Sequence, residues 1–198
     1  AEAGRLTHVL LAGRWPIATT QVSLPFEGGR PQLVYSADGA LTGAEALERG
    51  LDQLVASLRE SGLKVVLLGN APEVGWDVPR ELSRATWAER PPPAPPGPEL
   101  LQERQTLAAE ILQRVAAEHG ARYLPLQDAL CQPDCRVEQN GHALYIDDDH
   151  LSDYAAREVI GPWMKQQLAD WRAALGQYFQ IVRDFDAVNA PFDTHLSL

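Results

Sequence analysis

The chain has 198 residues, of which 45% are hydrophobic and 22% are charged, as expected for one folded domain with a substantial core. Its 17 basic and 27 acidic residues give a formal net charge of −10, which argues against nucleic acid and anionic membrane surfaces as partners. No apolar run approaches the roughly 20 residues that span a bilayer, and no signal-peptide pattern opens the chain.

The first half of the chain predicts two buried strands with a helix between them. Leu6–Leu11 is short and apolar, as a buried strand is. The capping box Thr42-x-x-Glu45 predicts a helix start, and Gly62 predicts its end. Lys64–Leu68 is a continuous apolar strand. This order of helix, short turn and apolar strand is typical of a parallel α/β sheet.

The second half predicts a long helix and a third strand. The helix covers Glu99–His119, and the strand covers Ala121–Leu124. Four residues form the apolar side of the helix: Leu107, Ile111, Leu112 and Val115. The proline-rich run Pro91–Pro98 predicts a stiff surface loop, and it is no domain boundary because the α/β pattern resumes after it.

The C-terminal part predicts two more helical stretches and a tail. A helix runs from Ser152 to about Gly161, and Pro162 starts a second one. Residues 1–175 are therefore predicted to form one α/β domain, and residues 176–198 an amphipathic tail.

The run Asp147-Asp148-Asp149-His150-Leu151-Ser152 carries the strongest functional signal. A carboxylate three residues before a histidine can fold back onto Nδ1–H, fix the tautomer and leave Nε2 free to accept a proton. We therefore expect Asp147 to orient His150, with Asp148 and Asp149 solvated or capping the next helix. Two other interpretations are an Asp-rich turn that caps a helix and a hard-cation site, although the EF-hand pattern is absent.

Arg14 and Trp15 follow the first predicted strand. Residues just past the carboxyl end of a parallel strand line the ligand crevice of an open α/β sheet, so both are candidates for the site. The alternative is an Arg stem stacked on Trp as surface packing. Ser36 lacks a Gly-x-Ser-x-Gly elbow, and turn chemistry explains its surroundings better than a nucleophile does.

Cys131 and Cys135 are the only cysteines. Their spacing lacks the second Cys/His pair of a zinc site, and we expect a small disulfide-closed loop, which implies an oxidising compartment. The alternative is two free, half-buried thiols in a cytosolic protein. No metal or other cofactor is expected.

The pattern Tyr145-x-Asp147-x-x-His150-Leu151-Ser152 before a helix resembles the last block of the SGNH (GDSL-like) hydrolase superfamily. More narrowly, the chain looks like the periplasmic SGNH domain attached to family-three membrane acyltransferases, which O-acetylate O-antigen and cell-wall polymers. Weaker support comes from strand order, the close cysteine pair and three short motifs: Arg14-Trp15, Gly69-Asn70 and Pro72-Glu73.

The resemblance implies a flavodoxin-like three-layer fold with a parallel sheet, a periplasmic location and catalysis by Ser, His and Asp. It implies that Asn70 donates to the oxyanion, where one donor contributes about 3 kcal/mol; the alternative is a turn cap. It also favours Arg14 and Trp15 as substrate-binding residues. The Gly-Asp-Ser block is absent, so the first strand and the nucleophile would lie upstream of Ala1.

Two main hypotheses follow. The first is an O-acyltransferase or esterase domain that acts on hydroxyls of bacterial envelope carbohydrate, with a membrane acyltransferase domain as its acyl donor. The second is a non-catalytic carbohydrate-binding or partner-docking domain, which the missing serine favours and the Asp147/His150 pair opposes. A cytosolic flavodoxin-like domain is a third interpretation.

Overall fold

A computed structural model describes residues 6–20, 41, 43–94, 97–131 and 134–169. The strands are β1 (His8–Leu11), β2 (Lys64–Leu68), β3 (Arg122–Leu124), β4 (Glu138–Gln139) and β5 (His142–Ala143). The helices are α1 (Gly43–Glu60), α2 (Val78–Trp87), α3 (Pro98–Glu118), α4 (Gln127–Leu130), α5 (Asp153–Ala155) and α6 (Gly161–Gln167). A 3₁₀ helix covers Trp15–Ala18, and a π-helical turn covers Ala156–Ile160.

Strands β1, β2 and β3 form a parallel sheet in the order β1-β2-β3. Val9 is in register with Val65, and Leu67 is in register with Tyr123. This arrangement confirms the prediction of an α/β fold with a parallel sheet. Among the described residues, β1 pairs only with β2, so its other edge is open.

The core lies between one face of β2 and helices α1 and α3. Side chains of a strand alternate between its faces, and Val65 and Leu67 pack in this cluster while Val66 and Leu68 are buried on the other side. The helices contribute six buried residues to the cluster: Leu51, Val55, Ile111, Leu112, Val115 and Ala116. Burial on both faces explains why β2 reads as an unbroken apolar run.

Most predicted elements are present, with local differences. Leu107 is 44% exposed, so it is not part of the apolar side of α3. Helix α2 was not predicted, although the Asp77 side chain accepts a hydrogen bond from the backbone N–H of Arg80 and caps it. Helix α6 begins at Gly161, one residue before Pro162, and follows directly on the π-helical turn. In that turn the N–H of Gly161 bonds the carbonyl of Ala156, five residues back. Pro162, which has no N–H, is thus accommodated near the start of α6.

Some predictions fall outside the described residues. These are the capping contribution of Thr42, the surroundings of Ser36 and the tail at residues 176–198. The chain divides into two units, Ala1–Pro162 and Trp163–Leu198. No helix in the described part of the chain has the length and apolar character needed to cross a membrane.

A disulfide and a hairpin precede the Asp/His run. Cys131 and Cys135 are joined, as predicted. Strands β4 and β5 form an antiparallel hairpin whose turn residues, Asn140 and Gly141, have φ of +53° and +79°. Two consecutive residues with positive φ fit a tight hairpin turn, which Asn-Gly favours.

Removal of the disulfide should lower the free energy of unfolding only modestly, because the loop that it closes is short. Replacing both Cys131 and Cys135 by Ser should lower the free energy of unfolding by about 2 kcal/mol, as expected for closure of a loop this small. Denaturant unfolding measures this change. Thiol titration of unfolded, unreduced protein from an oxidising compartment should find no free thiol; two titratable thiols would refute the bridge.

Candidate active site

The Asp/His run forms a closed loop. Tyr145 and Leu151 form a β-bridge across its base, and the N–H of Ile146 donates to the carbonyl of His150 at 2.9 Å. Inside the loop, Asp147 Oδ1 accepts from the backbone N–H of Asp149 at 3.0 Å and of His150 at 2.7 Å. A short acidic side chain that bonds backbone N–H groups ahead of it stabilises such a turn.

The predicted contact between acid and histidine is present. Asp147 Oδ2 lies 2.8 Å from His150 Nδ1. The His150 side chain is 68% exposed, and Nε2 has no hydrogen-bond partner among the described residues. The imidazole is therefore held at one nitrogen and open to a reactant at the other.

Backbone hydrogen bonds attach this loop to the segment after β2. The carbonyl of Asp148 accepts from the N–H of Val74 at 2.7 Å, and the carbonyl of Asp147 accepts from the N–H of Val78 at 3.2 Å. The loop is thus positioned by the carboxyl edge of the parallel sheet, where ligands bind in open α/β folds.

The other two acids differ from expectation. Asp148 is 8% exposed, and the Asp149 side chain is 5% exposed, so neither is solvated. Asp149 Oδ1 lies 2.6 Å from His150 Nδ1, which makes Asp149 a second acid at the same nitrogen. The helix cap is Ser152, whose Oγ accepts from the N–H of Ala155.

A buried network of charges supports Asp149. Arg14 Nε lies 2.6 Å from Asp149 Oδ2 and 2.8 Å from Glu73 Oε1. Glu73 is fully buried and also accepts from Arg104, through Nε at 2.5 Å and Nη2 at 2.9 Å. Charged side chains are rarely buried unless paired, and each carboxylate here has a guanidinium partner.

The pKa values of Asp147 and Asp149 are shifted in opposite directions. Burial alone would raise the pKa of Asp147, but hydrogen bonds from the backbone N–H groups of Asp149 and His150 and from the His150 ring outweigh it and lower the pKa. For Asp149, burial dominates and raises the pKa to about 6, against the opposing effect of Arg14. The hydrogen bond that the His150 ring donates to Asp147, followed by the charge of Asp149, raises the pKa of His150.

Arg14, Trp15 and Asn70 all follow strand ends at one edge of the sheet, but their contacts differ. Arg14 joins the His150 cluster through Asp149. The indole N–H of Trp15 donates to the carbonyl of Leu68 at 2.7 Å, and its ring packs against the hydrophobic core. The Asn70 amide donates to the carbonyl of Ala71. Roles of Trp15 and Asn70 toward a substrate therefore stay predictions.

Comparison with protein families identifies the chain. Residues 1–165 match the model described as an SGNH domain fused to AT3 domains. The chain belongs to this family. The parallel sheet and its helices are consistent with an SGNH-like fold.

Part of the chain is similar to a solved structure. The periplasmic domain of a lipopolysaccharide acetyltransferase from Salmonella ser. Paratyphi A is 18% identical, with a TM-score of 0.42. The match covers 54% of this chain and 43% of that chain, so this SGNH domain spans less than half of that chain's length. No curated protein matches.

Two groups of side chains in the described part of this SGNH domain have a spacing that could hold a metal ion. One is Asp147, Asp149 and His150; the other is Asp52, Glu118 and His119. In the second, His119 Nε2 lies 2.6 Å from Asp52 Oδ1, so a hydrogen bond between the end of α3 and α1 explains this cluster.

No described hydroxyl is hydrogen-bonded to His150 Nε2. Ser152 is two residues away, but its Oγ donates to the carbonyl of Ala143 at 2.8 Å and caps α5. Ser36 lies outside the described residues. The described part of the SGNH domain therefore places two acids beside the candidate base, His150, and provides no assigned nucleophile.

Sequence reasoning missed the functional surroundings of the pair, namely Glu73, Arg104 and Asp149. A signal for Arg104 existed, because it shares the helical stripe of Ala108, Ile111 and Val115, all of which are buried. A charged residue on such a stripe requires a buried partner.

The pKa of Asp149 predicts how stability depends on pH. Because the folded pKa is raised above the ordinary value of 3.8, the folded state binds the proton more tightly, and stability is lost as pH rises from about 4 through 6. Asp149→Asn removes this loss. The stability of the variant relative to wild type should improve by on the order of 2–3 kcal/mol between pH 4 and pH 7.5.

Denaturant unfolding at both pH values measures this difference. Asp134→Asn, which removes an exposed carboxyl group, is the matched control for the change in net charge. A relative stability of Asp149→Asn that stays constant or falls as pH rises would contradict the prediction.

Proposed function

We propose that this SGNH domain supplies the general base and its orienting acid for acyl transfer to or from hydroxyl groups of bacterial envelope carbohydrate. The observation that carries the proposal is the Asp147–His150 pair, held at Nδ1 and open at Nε2. Membership of a family fused to AT3 domains supports acyl transfer and a membrane acyltransferase partner. The disulfide supports a periplasmic location.

In the first half-reaction, His150 Nε2 removes the proton from a serine hydroxyl, and the serine oxygen attacks the acyl carbonyl. The donor's leaving group departs with the proton from the imidazolium, which leaves an acyl-serine ester. In the second half, Nε2 deprotonates a sugar hydroxyl, which attacks the ester and releases serine with that proton. With water instead of sugar, the same steps give an esterase.

The acids around His150 favour the intermediate state of each step. Imidazolium forms 2.8 Å from Asp147 and 2.6 Å from Asp149, so its positive charge is partly neutralised. The raised pKa of His150 makes it a stronger base, and the neutral form that accepts a proton becomes available as pH rises through that pKa.

The nucleophilic serine of this mechanism lies outside the described residues. Arg14 follows β1 and contacts Asp149, so the end of β1 lies beside the His150 cluster. A parallel strand added to the open edge of β1 would end at the same edge of the sheet. This is the position from which a serine after that strand could approach Nε2, and Asn70 would donate to the oxyanion from the end of β2.

The chain alone tests the source of the nucleophile. We expect negligible turnover of p-nitrophenyl acetate by this SGNH domain, measured against its His150→Ala variant. Rapid hydrolysis that depends on His150 would show that the chain contains a nucleophile, and Ser36 would be the first residue to replace.

A form that includes the serine tests the reaction itself. We expect Asp147→Asn to reduce acetylation of envelope polysaccharide by orders of magnitude, because the amide replaces the hydrogen-bond acceptor at Nδ1 and stabilises the wrong tautomer. The acetyl content of the isolated polysaccharide, measured by NMR, is the readout. Asp153→Asn, which changes an exposed acid on α5, is the matched control.

If His150→Ala and Asp147→Asn both give the same acetyl content as wild type, the pair has no catalytic role. The non-catalytic carbohydrate-binding alternative would then hold if both variants still bind the polysaccharide.

A further inference from the structure

Two carboxylates lie close to His150 Nδ1, of which Asp147 is hydrogen-bonded to it and Asp149 is in ion-pair contact with it. Asp147 Oδ2 is 2.8 Å away, and Asp149 Oδ1 is 2.6 Å away. We propose that Asp149, held in place by Arg14, is a second acid that fixes the tautomer of His150, which makes Arg14 a positioning residue for the base. This inference deepens the proposed function, because the tautomer matters only if Nε2 accepts a proton.

The tautomer decides whether the base can work. A neutral imidazole carries one proton, and only the Nδ1–H form presents the lone pair of Nε2 outward. Histidine in solvent favours the opposite form, so an acceptor at Nδ1 is needed. Each of the two carboxylates could meet this requirement.

The two acids have separate supports. The Asp147 side chain is 37% exposed and is held by backbone N–H groups of its own loop. The Asp149 side chain is 5% exposed and is held by Arg14, which in turn contacts the fully buried Glu73. Loss of Arg14 therefore leaves Asp147 in place, because the N–H groups of Asp149 and His150 still hold it.

Charge explains why Arg14 is required. Asp147 and Asp148 both act on Asp149 with the same sign, and their charges together with burial disfavour its ionised form. The charge of Arg14, 2.6 Å away, opposes this effect most strongly, and protonated His150 opposes it less. Without Arg14, the buried Asp149 carboxylate would have no cation beside it and would turn away toward solvent, which removes an acceptor from Nδ1.

The experiment reads the tautomer of His150 from the chemical shifts of its ring nitrogens in ¹⁵N-labelled protein. The measurement is made at pH 9, where carboxylates are ionised and the imidazole is neutral. Asp147→Ser removes the first acid and retains a hydroxyl that can bond the backbone N–H groups of the turn. Serine is preferred to asparagine here, because an asparagine amide would itself donate to Nδ1.

We expect wild type and Asp147→Ser both to keep the Nδ1–H form as the major species. Adding Asp149→Ala or Arg14→Gln to Asp147→Ser should shift the ring to the Nε2–H form, and alanine brings no amide that could donate to Nδ1. Adding Arg84→Gln should not, although it removes the same charge, because Arg84 is on α2 and pairs with Glu81. The single variant Arg14→Gln should keep the Nδ1–H form through Asp147.

Two results would overturn the proposal. One is loss of the Nδ1–H form in Asp147→Ser alone, which would mean that Asp149 is no anchor. The other is its retention when Asp147→Ser is combined with Arg14→Gln, which would mean that Arg14 does not position Asp149. If Asp147→Ser combined with Arg14→Gln does not fold, the tautomer is read in Asp147→Ser combined with Arg14→Lys. Lysine keeps the positive charge but lacks the planar guanidinium that contacts Asp149 and Glu73 together.

The readout separates this inference from the proposed function. It uses the chain as it is, with no substrate or nucleophile. Unchanged acetylation in His150→Ala and Asp147→Asn, together with the expected tautomer pattern, would refute the catalytic role of the pair and leave the positioning role of Arg14 intact. The reverse pattern would refute the positioning role alone.

Discussion

The site depends on the ion pairs that the carboxylate of Glu73 forms with two arginines. This carboxylate is fully buried, and two guanidinium groups approach it, Arg104 from α3 and Arg14 from the loop after β1. Burying a charge is costly, and a paired charge becomes strongly destabilising when one partner is removed. The three elements therefore have one favourable mutual arrangement near Glu73, and this arrangement places Arg14 beside Asp149. The geometry at His150 is thus determined in part by residues that it does not touch.

The same network separates the tasks of three neighbouring acids. Asp147 bonds backbone N–H groups and is readily ionised, whereas Asp149 is ionised only against the cost of its burial. Asp148 contributes its backbone carbonyl to Val74 and thereby attaches the loop to the segment after β2. Adjacent residues of one type therefore differ in function because their side chains leave the turn in different directions.

The sequence was sufficient for features that depend on local patterns. Strand β2 has the predicted bounds because burial on both faces leaves an unbroken apolar run, and the Asp147–His150 contact follows from the spacing of the two residues. The second acid was not foreseeable in this way. Asp149 is adjacent to His150 in sequence, and only its contact with Arg14, in the loop after β1, explains its direction. Long-range ion pairs of this kind leave no local periodicity.

Replacing Glu73 and Arg104 together by apolar residues could be neutral for stability, since buried ion pairs often contribute little net stabilisation. It would, however, remove the acceptor that Arg14 Nε shares with Asp149. The charges are thus better explained by the position of His150 than by stability of the fold. Under the proposed function, the ion network positions the base through residues that are mostly buried.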